Sequence, residues 1–147
     1  MTGIVVGVDS SEHSQRSLEW AMREAAIRKV PLTVITVNAV VAGFFSSPVV
    51  LAADEPAREQ ARQGAQEAAD KAALALDDGS SPPSVTIHAI NGFPAGELIE
   101  ASRDADLLVV GSRGAGGFAR LLLGSVSSQV VQHAHCPVVI IPSERAG

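Results

Sequence analysis

The feature that most restricts the fold is an alternation. Short apolar runs rich in β-branched residues, Ile4 to Val8, Leu32 to Val37, Asp106 to Val110 and Pro137 to Ile141, are separated by stretches of helical period. Such a run, bounded by Gly, Pro or Asp, reads as a strand buried on both faces, and strand, helix, strand in that order make a right-handed βαβ unit. Ser10 or Ser11 caps a first helix whose apolar positions Leu18, Ala21, Met22, Ala25 and Ala26 keep helical spacing. A second helix begins near Asp54 and Pro56. Its alanines at 57, 61, 65, 68, 69, 72 and 73 form a low stripe that can lie close to a sheet, and Gly79, Pro82 and Pro83 end it. Val85 to Ile90 sets Thr86 and His88 between apolar positions and so reads as an edge strand. Helices from about Pro94 to Arg103 and from Ser125 to Ala134 complete the pattern. Strands alternating with helices in this way predict an open, mostly parallel α/β sheet with helices on both faces.

With 147 residues, 46% of them hydrophobic, the chain reads as a single domain, 1–147, able to bury its own core. A net charge of −5 argues against a nucleic-acid surface, which needs a concentrated basic stripe. Any anion is therefore drawn by local geometry and not by a global field. Cys136 is the one cysteine, so no disulfide can form within the chain and a reducing compartment is expected. The start of the chain has no basic leader pattern, and no apolar run approaches the roughly 20 residues that span a bilayer. The expectation is a cytoplasmic protein with no membrane and no nucleic-acid partner.

The stretch Leu107 to Ser128, LLVVGSRGAGGFARLLLGSVSS, runs from a strand through a glycine-rich loop into a helix. Glycine lacks Cβ, so a ligand can approach the main chain closely. At the start of the following helix the first amides lack an intrahelical partner and the macrodipole is positive, which suits phosphate. The spacing is GxxGx(9)G[ST], with Gly111, Gly114, Gly124 and Ser125 in the named places. It is neither of the two common phosphate loops: it does not follow the first strand, and it has no lysine. Lys29 and Lys71 are the only lysines in the chain. Phosphate charge must then be met by amides, Ser125, Arg113 or Arg120, which suggests holding a nucleotide rather than cleaving it quickly.

GSRGAGGFARLLLGSVSS, the opening IVVGVDSSEHS and the close HCPVVIIP together resemble the universal stress protein family in its ATP-binding branch, nearly end to end. The resemblance implies a Rossmann-like sheet of order 3-2-1-4-5, with the binding crevice between the first and fourth strands. It also implies ATP, with Mg²⁺, as the ligand. The site it implies contains Val8, Asp9 and Ser10 beside the ribose, and Val37 meeting the adenine through its main chain. Gly111, Ser112, Arg113, Gly114, Gly124, Ser125, Val126 and Ser127 complete it around the phosphates. Asp9 is the one side chain placed to help hold Mg²⁺. The resemblance further implies a homodimer in which the last strand, Val138 to Ile141, pairs with its copy. Ala115 offers no charge at a variable loop position.

Each motif has a plainer reading. Asp9 and Ser10 can cap the next helix, loop glycines can serve turning alone, and exposed arginines are commonly just solvated. Trp20 and Met22 read as helix packing. The run His133, His135, Cys136 passes from a helix end into a strand and makes a poor metal site. Asn38 to Glu55 has no recognisable pattern; it either packs on its own domain, covers the base or meets a partner. Three rival functions stand beside ATP binding. An adenylate-transferring enzyme would require a histidine pair near the first helix, where His13 stands alone. A cyclic AMP-binding protein would keep the same fold and change the ligand, and a scaffold would bind no nucleotide and act through protein partners. No catalytic residue is expected, and at most slow ATP hydrolysis.

Overall fold

The computed structural model describes residues 3–9, 11–39, 55–76, 79–112 and 124–142. The elements in chain order are β1 (Ile4–Val8), α1 (Glu12–Arg28), β2 (Leu32–Ala39), α2 (Glu55–Leu74) and β3 (Val85–Gly92). There follow α3 (Pro94–Ala101), β4 (Leu107–Gly111), α4 (Ser125–His133) and β5 (Val138–Ile141). The strands form one sheet in the order β3-β2-β1-β4-β5, and every neighbouring pair is parallel.

Strand periodicity divides the core into two layers. Ile4, Val6 and Val8 of β1, Leu32 and Val34 of β2, and Leu107 and Val109 of β4 face α1 and α2, against Leu18, Met22, Ala25, Ala65, Ala69 and Ala72. Val5, Ile35, Leu108 and Val110 turn to the other side and pack with Leu98 of α3 and Val130 of α4. Central strands with both faces covered explain why β1 and β4 read as near-continuous apolar runs. Gly7 belongs to the second face. A Cβ there would lie 2.8 Å from Leu98 Cδ1, so its absence lets α3 settle on β1.

The serines Ser14 and Ser17 are buried beside the alanines of α1 and share its close approach to the sheet. α1 is capped by Ser11, and it ends on Lys29 in the left-handed region (φ 57°, ψ 46°). The expected ends of β2 and α2 move. β2 runs on to Ala39, because β3 continues beside it as far as Gly92. α2 ends at Leu74, well before Gly79, because its last buried residue is Ala72; Gly79 instead turns the following loop at φ +81°. Ala26 is only half-buried. β3 lies at the sheet edge as its alternation predicts, with Thr86 and His88 exposed.

Candidate functional site

β1 and β4 are adjacent, with Ile4, Val5 and Val6 opposite Leu107, Leu108 and Val109. Beyond them the chain diverges, β1 leading to α1 on one face and β4 to α4 on the other. Parallel sheets open a crevice where successive connections part in this way.

The β1 side of the crevice is a tight turn. Asp9 Oδ1 accepts the Ser11 amide at 2.7 Å, and Ser11 Oγ accepts the Ser14 amide at 3.3 Å. The Ser14 hydroxyl lies 2.8 Å from the Asp9 carbonyl and 2.9 Å from that of Ser11, so it returns a bond to the same turn. Asp9 thus performs the helix-entry role while its side chain stays exposed at the mouth.

The β4 side is organised by the main chain of Ser112. Its amide donates to the Ile141 carbonyl at the end of β5 (2.9 Å), and its carbonyl accepts the Gly124 amide (2.6 Å). The buried Ser127 hydroxyl lies 3.2 Å from that carbonyl and 3.1 Å from the carbonyl of Gly124. The start of α4 is therefore bound to the end of β4. Gly124, the N-cap, is extended (φ −73°, ψ 172°) and brings no side-chain cap. The first turn closes when the Ser128 amide reaches the Gly124 carbonyl at 3.0 Å. The amides of Ser125, Val126 and Ser127 consequently have no acceptor within the helix, and they lie at its positive end. Ser125 is exposed, whereas Ser127 is buried.

β2 forms the third wall. Its register with β1 ends at Thr36 opposite Val8, while its pairing with β3 continues through Val37, Asn38 and Ala39. In a parallel sheet alternate residues direct both main-chain groups to the same neighbour. Part of the Val37–Ala39 main chain is thus turned to the side from which β1 has withdrawn.

Asp9, Gly111, Ser112 and Gly124 to Ser127 are brought to one crevice, with Val8 below and Val37 on the next strand. Ser10, Arg113, Gly114, Ala115 and Arg120 lie outside the described residues. Two amides drop out of the expected cradle, since those of Ser112 and Gly124 are already bonded within the fold. Sequence reasoning missed the knot made by Ser112 and the inward turn of the Ser127 hydroxyl; both depend on contacts that no local spacing reveals. Arg16 Nη1 donates to the Pro142 carbonyl at 3.1 Å, which places a positive charge at this end of the sheet. Lys29 and Lys71 sit at the C-terminal ends of α1 and α2, at the opposite end.

Among the described residues no three His, Cys, Asp or Glu side chains gather closely enough to hold a metal, and His133 and His135 are exposed. Cys136 is half-buried. Burial raises the pKa of its thiol and the charge of Asp106 adds to the shift, with the Leu108 amide pulling the other way. No described helix is long and apolar enough to cross a membrane.

A family model described as "Universal stress protein family" matches residues 1–142. Universal stress protein Rv2623 of Mycobacterium tuberculosis (strain H37Rv) is 38% identical over 146 residues, 97% of this chain and 48% of the relative. The chain thus spans about half the length of the curated relatives it matches. Among solved structures, universal stress protein UspA from Lactobacillus plantarum superposes with a TM-score of 0.70 at 27% identity, covering 95% of this chain and 97% of that one. A universal stress protein in complex with cAMP superposes at 0.65 with 29% identity, covering 96% and 95%.

Proposed function

Given that the chain belongs to the universal stress protein family, we propose that it binds an adenine nucleotide, ATP before others, and acts as a nucleotide-dependent module in stress response or signalling. The observation that carries this reading is the bare head of α4: three amides without a helical acceptor, at the carboxyl end of β4, with Asp9 across the crevice. In this reading the phosphates lie on Ser125, Val126 and Ser127 with the glycine loop through Gly114 around them. Asp9 meets the ribose, and the main chain at Val37 meets the adenine. Any hydrolysis is proposed to be slow, since the loop that would hold the phosphates carries no lysine.

Mg²⁺ is tested by the donor set. Asp9 brings a carboxylate to the mouth, but one of its oxygens accepts the Ser11 amide and no three carboxylate, His or Cys side chains gather among the described residues, so the donors do not suit a resident ion. They suit an ion that arrives on the polyphosphate, since Mg²⁺ keeps most of its waters and takes one or two carboxylates besides phosphate oxygens. When bound it would neutralise charge on the phosphates.

The solved relative in complex with cAMP favours a second reading, in which a cyclic nucleotide is the ligand. Thermal melting with ATP, ADP, AMP and cyclic AMP, each with and without Mg²⁺, separates the two. Ligand at a hundred times Kd stabilises by about 2.7 kcal/mol, which raises Tm by roughly 5 to 10 °C in a domain of this size. A shift with ATP supports the first reading, a shift with cyclic AMP alone replaces it with the second, and no shift with any nucleotide points to a scaffold that acts through protein partners. A homodimer through β5 belongs to the same proposal. Val138 to Ile141 is an apolar edge strand, half-buried at three of its four positions, and such edges are rarely left open. The proposed setting is the cytoplasm.

A further inference from the structure

The chain has two asparagines, Asn38 and Asn91, and the fold places them opposite each other. They are register partners on β2 and β3, and Asn38 Nδ2 donates to Asn91 Oδ1 at 3.1 Å in a partly buried setting. Asparagine is depleted in strands, so a matched pair from positions 53 residues apart calls for a reason beyond sheet formation. Their place supplies one. Asn38 directly follows Val37, in the part of β2 that outruns β1. Along β2 the side chains of Ile35 and Val37 pack toward α3 and α4 and those of Leu32 and Val34 toward α1 and α2. By that alternation Asn38 stands on the α1 side, over the main chain proposed to meet the base.

Hydrogen-bond arithmetic then gives the pair a polarity. The nitrogen and oxygen of an amide diverge from one carbon, so with Nδ2 committed to β3 the Asn38 oxygen is turned away from β3. That oxygen is an acceptor with unspent capacity, and Asn91 retains N–H donors. An acceptor fits the exocyclic amino group of adenine. It opposes the carbonyl oxygen that guanine carries at the same position, because two acceptors would face each other without a proton between them.

We infer that Asn38, oriented by Asn91, makes the site selective for adenine over guanine. The inference rests on the nucleotide reading above and adds a residue that decides the base. It is tested by isothermal titration of ATP, GTP and inorganic tripolyphosphate into the full chain and into Asn38→Leu and Asn38→Asp, each variant first checked for a cooperative melt. The wild type is expected to prefer ATP over GTP by about tenfold or more. Asn38→Leu brings the two within about threefold and leaves tripolyphosphate unchanged, and Asn38→Asp, which keeps an acceptor oxygen, retains the preference. ATP binding with the same ATP-to-GTP ratio in Asn38→Leu overturns the inference and leaves the nucleotide reading standing. Absence of binding by ATP, GTP and tripolyphosphate alike overturns both.

Discussion

Ser125 and Ser127 stand two positions apart at the head of α4, and under the proposed function they have different tasks. Ser127 is 3% exposed, with its hydroxyl between the carbonyls of Ser112 and Gly124. Ser127→Ala removes one hydroxyl bond, yet neither carbonyl is orphaned: Ser112 keeps the Gly124 amide and Gly124 keeps the Ser128 amide. The loss is then that of an ordinary hydrogen bond, about 0.5–1.5 kcal/mol, offset by a few tenths from the better helix propensity of alanine. The net is about 0.5–1 kcal/mol, or a fall in Tm of roughly 1–4 °C. ATP affinity changes by less than about threefold, since the amide of residue 127 remains in place. Ser125→Ala removes an exposed hydroxyl that caps nothing, so Tm is unchanged or slightly raised. Affinity for ATP falls by roughly tenfold or more, the worth of one hydrogen bond to a charged oxygen at about 1.5 kcal/mol or more. Melting and titration calorimetry on both variants supply the check. If Ser125→Ala costs the stability and Ser127→Ala the affinity, the assignment of the two hydroxyls is wrong.

Gly3 adopts φ +131°, and a Cβ there would lie 2.5 Å from the Pro31 carbonyl oxygen; Gly3→Ala is expected to lower stability by about 3 kcal/mol or more, and a chemical-denaturation midpoint equal to wild type would contradict this. Ser17 Oγ is fully buried without a hydrogen-bond partner, so Ser17→Ala should raise Tm by roughly 2–4 °C, the return of about 1 kcal/mol of desolvation penalty; a fall would mean that the hydroxyl is bonded in solution. The folded pKa of Cys136 is raised, chiefly by burial, so between the unfolded and folded values the unfolded chain has lost the thiol proton while the folded chain keeps it. Stability from this group therefore falls as pH rises above about 8.5, and alkylation at pH 7 should be slower than for a free thiol; rapid labelling at pH 7 in the folded protein would contradict it.

The sequence showed the alternation of strands and helices because the buried strands of a parallel sheet carry unbroken apolar runs, as Ile4–Val8 and Leu107–Gly111 do. Where an element stops was harder to read. α2 carries favourable residues past Leu74, but helix is kept only while alanines meet the sheet, and Ala72 is the last one buried. At the site, the head of α4 was legible because Gly124 and Ser125 announce a helix start. The ties that hold it were not. The bond from Gly124 to Ser112 and the bond from Ser112 to Ile141 join segments that only the folded register brings together, and the facing of Asn38 and Asn91 likewise depends on the pairing of two strands distant in the chain.

The central claim is that a polyanion rests on the uncapped amides of α4, and amide-resolved NMR tests it directly. In a titration of ¹⁵N-labelled protein with Mg²⁺ and ATP, the resonances of Ser125, Val126 and Ser127 are expected to move and to saturate along one binding curve with that of Asp9. Saturable ATP binding that leaves those three amides unmoved, or an unchanged spectrum throughout, would contradict the account.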